Sequence, residues 1–166
     1  MSDATTHEDW LRRAFDVARQ ARQRGDHPFG ALLVARDGQL LRAQGNGFAS
    51  EAGDMTAHAE RLLATWASKT LDAATRAGAT LYSSAEPCAM CAGAIYWAGI
   101  GRVVYGQAEA GLKAATGAHE ENPTLALPCR AVFAAGQRPT EVIGPLLDAE
   151  AAELQAGYWQ AAPGRL

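Results

Sequence analysis

The stretch Ala79-Thr80-Leu81-Tyr82, then Glu86-Pro87-Cys88-Ala89-Met90-Cys91-Ala92-Gly93-Ala94-Ile95-Tyr96-Trp97-Ala98, then Arg102-Val103-Val104-Tyr105 decides the architecture. Two short apolar runs of strand length flank one segment, Cys88 to Trp97, of helical length, which is the pattern of a β-α-β crossover. That unit places the chain in the α/β class. It also sets two cysteines in the first turn of the connecting helix. There, unsatisfied N–H groups and the helix dipole favour negative charge and draw a thiol below its usual pKa of ~8.5, so both sulfurs are readied to bind as anions.

Toward the N-terminus, Trp10, Leu11, Ala14, Phe15, Ala18 and Ala21 recur at helical spacing and predict an amphipathic helix from about His7 to Arg24, ended at Gly25. Phe29 to Ala35 is a nearly unbroken apolar run that reads as a buried strand. Asp37-Gly38 is a hairpin signal returning the chain through Gln39 to Ala43, and Gly45-Asn46-Gly47 ends that second strand. Ser50 to Asp54 is a loop. Thr56 follows as the expected N-cap of a helix carrying His58, Glu60, Leu62, Leu63 and Trp66. Beyond Gly106 the pattern weakens, with a fifth strand expected over Val142 to Leu146 and a last helix through Leu147, Ala151, Leu154 and Tyr158. Residues 1–166 read as one domain without internal repeats or low-complexity segments.

His58, Cys88 and Cys91 form the ligand set of a hydrolytic zinc site: three protein ligands leave a fourth position for water. A further nearby cysteine would close the shell and make the metal structural, yet Cys129 lies far along the chain with no spaced partner. Glu60 supplies a carboxylate placed to take a proton from an activated water and return it to a leaving group. Singly, each residue has a plainer reading. Cys88 and Cys91 fit a redox pair or half of a structural zinc knot, His58 a cap or core residue, and Glu60 a solvated helix position. A redox pair leaves His58-Ala59-Glu60 unexplained, and a four-ligand knot lacks a second C-x-x-C or H-x-x-x-H. The combination H-x-E with P-C-x-x-C is the signature of zinc deaminases. On an ideal helix His58 and Glu60 are ~200° apart, which suits one ligand and one proton shuttle better than two ligands.

At these residues the chain resembles the cytidine-deaminase-like superfamily of zinc-dependent amino-heterocycle deaminases. Pro28-Phe29-Gly30-Ala31, Gly45-Asn46, Thr56-Ala57-His58-Ala59-Glu60, Glu86 to Ala98 and Arg102 to Gly106 fall in the family's order. Within it the chain looks most like bacterial guanine deaminases, with tRNA adenosine deaminases next. The resemblance implies a three-layer α-β-α sandwich, a five-stranded mixed sheet with helices on both faces, and Zn2+ between two helix N-termini. It also implies hydrolytic deamination of a free base: water attacks a ring carbon bearing an exocyclic amine, Glu60 moves the protons, and ammonia leaves. Guanine, cytosine, isoguanine and aminotriazines are all open as substrates, because Gln107-Ala108-Glu109-Ala110-Gly111 does not match cleanly the acidic residues of guanine deaminases.

Other roles follow from the same resemblance. Asn46 can both donate to and accept from a base edge, although a turn asparagine between two glycines is the plainer reading. Phe29 stacks on the base or fills the core. Tyr158 and Trp159 close the pocket in guanine-deaminase-like proteins, or else pack the last helix. The backbone at Cys88 and a carbonyl near Ser84 to Glu86 orient the amine and the attacking oxygen, and a homodimer is expected.

A formal net charge of −3 and a pI near 5.8 create no global field for polyanions, so a small neutral nucleobase is favoured as partner over nucleic acid. Arg12, Arg13, Arg19, Arg22 and Arg24, interrupted by acidic residues, read as a solvated helix face. No apolar run approaches the ~20 residues of a membrane span, and the N-terminus lacks a leader's basic-then-apolar layout. Three cysteines, two of them on metal, exclude a disulfide framework and favour a cytoplasmic location. Two alternatives remain: a tRNA adenosine deaminase, and a non-catalytic zinc-stabilised binding module with no use for Glu60.

Overall fold

In the computed structural model, which describes residues 5–117 and 119–160, helix α1 spans His7–Arg24. The Thr6 hydroxyl accepts from the Asp9 amide and the Asp9 carboxylate accepts from the Thr6 amide, a reciprocal cap that fixes the first turn. Gly25 stops the helix at φ 94°, a conformation open to a residue without Cβ. The buried stripe is Trp10, Leu11, Ala14, Phe15, Ala18 and Ala21, as the spacing predicts.

Strand β1 (Gly30–Val34) pairs antiparallel with β2 (Leu40–Gly45) on one side and β3 (Thr80–Ala85) on the other. A Cβ on Gly30 would come within 2.5 Å of the Ala18 nitrogen and 2.6 Å of the Ala14 oxygen, so α1 lies against β1 at a distance only glycine permits. Helix α4 (Ala89–Ala98) crosses from β3 to β4 (Arg102–Gln107), and β3 and β4 run parallel. With β5 (Glu141–Ile143) parallel to β4, the order is β2-β1-β3-β4-β5, a five-stranded mixed sheet.

Strand alternation sends side chains to two cores. Leu32, Val34, Tyr82 and Val104 face α1 together with Ala151 and Leu154. Ala31, Leu33, Leu81, Val103 and Tyr105 face α2 (Ala59–Thr70), α4 and α6 (Cys129–Ala134). Helices thus cover both faces, giving the three-layer sandwich.

Several expectations need correction. Thr56 does not cap α2: its hydroxyl bonds the Asp54 carboxylate at 2.7 Å, and His58 itself stands at the cap position with extended φ and ψ. The fifth strand ends at Ile143, before Gly144 and a proline that has no amide to continue the ladder. The last helix, α7, is confined to Asp148–Glu153, and residues 154–160 continue as turns. Three short helices escaped the periodicity: α3 (Ala73–Gly78), α5 (Glu109–Thr116) and α6, each too brief for a repeating stripe to stand out.

The arginines of α1 are less free than a solvated face implies. Arg12 pairs with Glu150, Arg24 with Asp26, and Arg22 donates to the carbonyls of Leu154 and Ala156, which moors the C-terminal segment to α1. No described helix is long and apolar enough to cross a membrane.

Candidate functional site

His58 and Cys88 both occupy helix cap positions, at the starts of α2 and α4, and neither side chain caps its own helix. That freedom lets the imidazole and the sulfur turn toward each other. His58 Nδ1 lies 3.6 Å from Cys88 Sγ and 3.5 Å from Cys91 Sγ, and the three ligand atoms all fall within 4.8 Å of one another. A tetrahedral zinc with bonds of ~2.3 Å to sulfur and ~2.0 Å to nitrogen holds such atoms ~3.6 Å apart, so the donor set and its spacing fit the ion. Cys129, buried beside Glu86 at the start of α6, stands outside this group.

The electrostatics are those of a metal-ready site. The hydrogen bond from Cys91, together with His58, draws the Cys88 thiol down to about 4 against the opposing effect of burial. Cys91 moves the other way, because it donates to Cys88 and is itself buried. Burial works against a charged His58, but the Cys88 sulfur and the Glu60 carboxylate outweigh it and raise the imidazole above its usual value.

Glu60, in the first turn of α2, is only 5% exposed. The Ser83 hydroxyl donates to its Oε1 at 2.7 Å, and Cys91 Sγ lies 3.8 Å from Oε2. Burial raises its carboxyl above the ordinary range, while His58 and Ser83 pull the other way.

These groups open onto a cavity of about 260 Å³ lined by His58, Glu60 and Cys88 on the metal side. Phe29, Met55, Met90, Leu112, Pro123 and Leu125 supply apolar walls, and Glu86, Glu109, Glu121, His27 and Asn122 add polar groups. Phe29 therefore faces the cavity. Glu86 lines it too, but its carboxylate is engaged, accepting from the Glu109 amide and the Cys129 amide at 2.9 Å each and so tying the first turns of α5 and α6 to the end of β3.

Ser84, Asn46, Tyr158 and Trp159 are not among the lining residues. The alternation of β3 turns the Ser84 side chain toward α1, where its hydroxyl accepts from the Gly30 amide. The serine beside the metal group is its neighbour Ser83, which lies on the same face as Leu81. Asn46 is buried, and its Oδ1 accepts from the Phe48 amide at 2.8 Å and the His27 amide at 3.3 Å, the turn role that its glycine neighbours indicate. Its Nδ2 has no partner among the described residues. Trp159 packs behind the wall rather than over the cavity. It is edge-on to His27 and His119, near Phe29, and donates to Gln155, which in turn donates to the Pro28 carbonyl. Tyr158 reaches the Asp26 carbonyl at 3.4 Å.

Sequence reading missed His27, Glu109 and Glu121. Glu109 is 7% exposed with no side-chain partner among the described residues, and its carboxyl is pushed up to about 8, chiefly by burial and then by the charges of Cys88, Glu86 and Glu60. It follows β4 directly, and only the signal of a lone acid at the carboxyl end of a parallel strand marks it. Glu121 lies in an irregular segment with no motif of its own.

The family model of the cytidine and deoxycytidylate deaminase zinc-binding region matches residues 4–107. A probable cytosine deaminase of Schizosaccharomyces pombe is 38% identical over 150 residues, 90% of each chain. The guanine deaminase of Bacillus subtilis is 43% identical over 93 residues, 55% of this chain and 58% of that one. A solved structure of a mutant of the protein NE0047 in complex with 8-azaguanine is similar with a TM-score of 0.75 and 26% identity, over 90% of this chain and 82% of that one. The match spans more than half of the sequence and contains all three residues able to hold the ion, so the chain belongs to the cytidine and deoxycytidylate deaminase family of zinc-binding deaminases.

Proposed function

We propose that this protein hydrolytically deaminates a free amino-heterocyclic base, of the class of cytosine or guanine, with release of ammonia. One observation carries the choice of substrate. Glu60, Glu86, Glu109 and Glu121 line the cavity, and among the described residues no lysine or arginine does. Such a lining offers a phosphate no cationic partner and presents carboxyl oxygens to the N–H donors of a neutral amino-heterocycle. A volume of about 260 Å³ suits one or two fused rings between apolar walls. The similarity to deaminases named for cytosine and for guanine supports the same class.

When bound, zinc held by His58, Cys88 and Cys91 lowers the pKa of a coordinated water toward ~7. Glu60 takes one proton of the attacking water and passes it to the ring nitrogen, then takes the remaining proton of the hydroxyl now on the ring carbon and gives it to the amine, so that the C–N bond breaks, a C=O is left on the ring and ammonia leaves. Ser83 holds one carboxylate oxygen of Glu60 and leaves the other for the substrate. Phe29 and Leu112 wall the ring and exclude water. A buried Glu60 beside the ligands is wasted in a non-catalytic zinc module, which speaks for an enzyme. A homodimer belongs to the same reading, supported by Trp97, which stands 82% exposed on the apolar helix α4, and light scattering measures it.

The test is an ammonia-release screen of the zinc-loaded protein over cytosine, guanine, isoguanine, aminotriazines, their nucleosides and a tRNA anticodon stem-loop. Turnover of one or more free bases is expected. Robust deamination of the stem-loop with none of any base would replace this reading with the tRNA one.

A further inference from the structure

His27 and Glu121 come from distant parts of the chain, the turn before β1 and the segment between α5 and α6, and meet at the cavity wall. His27 Nε2 lies 2.9 Å from Glu121 Oε2. The histidine ring is boxed in: it stacks on Phe48 with centroids 4.3 Å apart and planes 17° apart, and Tyr158 and Trp159 meet it edge-on at 6.1 and 5.2 Å. Its amide donates to Asn46 Oδ1, which fixes the backbone as well. Glu121 is held twice, by His27 through the side chain and by His119 Nδ1 accepting from its amide at 3.2 Å. His119 rests edge-on against the same Trp159. Glu121 Oε1 has no hydrogen-bond partner among the described residues.

We propose that His27 is a positioning residue for substrate selection, acting through Glu121: it anchors one carboxylate oxygen so that the other is presented to the N–H donors of the bound base. The inference rests on the deaminase reading above and assigns the acceptor that selects among bases. A carboxylate free to rotate on an irregular loop would lose conformational entropy each time it bound a ring N–H. One already fixed by a rigid, stacked imidazole does not. The pair also explains why the aromatic C-terminal segment lies behind the cavity rather than in it, since Trp159 backs both histidines that hold Glu121. Burial outweighs the Glu121 charge and lowers the His27 pKa, with His58 and His119 adding to the same direction, so the ring is neutral at pH 7 and its one N–H is directed to Glu121.

The experiment measures the Kd of 8-azaguanine by calorimetry, alongside KM and kcat for whichever base the screen finds, zinc content and thermal midpoint. The zinc-loaded wild type is compared with Glu121→Gln, His27→Ala, His27→Gln and the double variant His27→Ala with Glu121→Gln. Glu121→Gln should weaken binding at least about tenfold, the worth of a hydrogen bond to a charged group, and raise KM by more than it lowers kcat, with zinc retained. His27→Ala should weaken it similarly, His27→Gln should recover most of the loss because its amide keeps a donor, and the double variant should bind no worse than Glu121→Gln alone. Unchanged binding in Glu121→Gln would overturn the proposal. So would additive losses in the double variant, or a His27→Gln protein as weak as His27→Ala, because each shows His27 acting on stability and not through the carboxylate. The functional reading fails separately, by absence of ammonia from every free base in the wild type.

Discussion

The hydroxyl of Ser83 donates to Oε1 of Glu60 across 2.7 Å of buried space, joining β3 to the first turn of α2. Without that bond the carboxylate is free to rotate beside the ligands. With it, one oxygen is fixed and the other is left for proton transfer. Ser83→Ala is expected to keep zinc and lower kcat about tenfold, the loss of one hydrogen bond to a charged group. Glu60→Gln is expected to keep zinc and fold while slowing turnover at least ~10²-fold. Metal content and kcat measured on the same preparations check both, and loss of zinc in Glu60→Gln would make Glu60 a ligand.

Metal retention should divide the cysteines. His58→Ala, Cys88→Ala and Cys91→Ala are each expected to lose zinc and activity together, because two ligands cannot hold the ion against solvent. Cys129→Ser should keep both. Its thiol, pushed up to about 12 by burial and the Glu86 charge, is a packed neutral group and not a donor to metal. Elemental analysis after gel filtration reads the outcome, and an empty site in Cys129→Ser would refute the three-ligand set.

Acid should act through Asp26, whose side chain is wholly buried. Burial opposes its charge, but the Ser50 amide at 2.8 Å, the Ser50 hydroxyl at 2.6 Å and Arg24 at 3.4 Å outweigh that and hold the carboxyl below its ordinary value. A folded pKa below the unfolded one means the unfolded chain binds the proton first as pH drops. The stabilisation is therefore complete above the unfolded value of about 3.9 and is lost as pH falls through the lower folded value. Asp26→Asn should cost about 2 kcal/mol at pH 7 and show a smaller fall in urea midpoint between pH 6 and pH 3 than the wild type. Parallel pH curves would remove Asp26 from acid unfolding.

Trp159 should behave as a buttress. Trp159→Ala is expected to cost about 3 to 5 kcal/mol in urea unfolding, in the range for emptying a buried aromatic site, while zinc stays bound. Base turnover should weaken as well, because Phe29 and His27 lose the ring behind them. Ending the chain after Gly157 should do the same. Normal stability with lost turnover would mean instead that the segment covers the cavity directly.

Sequence pattern alone determined the elements that carry a long or spaced signal. The stripe from Trp10 to Ala21 specified α1 because six small or apolar residues at helical spacing have one solution. Cys88, Cys91 and His58 specified the metal group because few chemistries use that donor set with a free carboxylate two residues on. Tertiary structure decided what depends on faces and on distant partners. Ser83 and Ser84 are identical in type and adjacent, and only the pairing of β3 with β1 sends one toward Glu60 and the other toward α1. Glu86, in the stretch expected to orient the amine through a backbone carbonyl, has its carboxylate bound by amides 23 and 43 residues away, and no local pattern announces such partners. The wall residues Glu109, Leu112, Glu121, Asn122, Pro123 and Leu125 lie in α5 and in irregular chain, and their distance from the ligands is set by loop closure and long-range packing, to which sequence periodicity is blind.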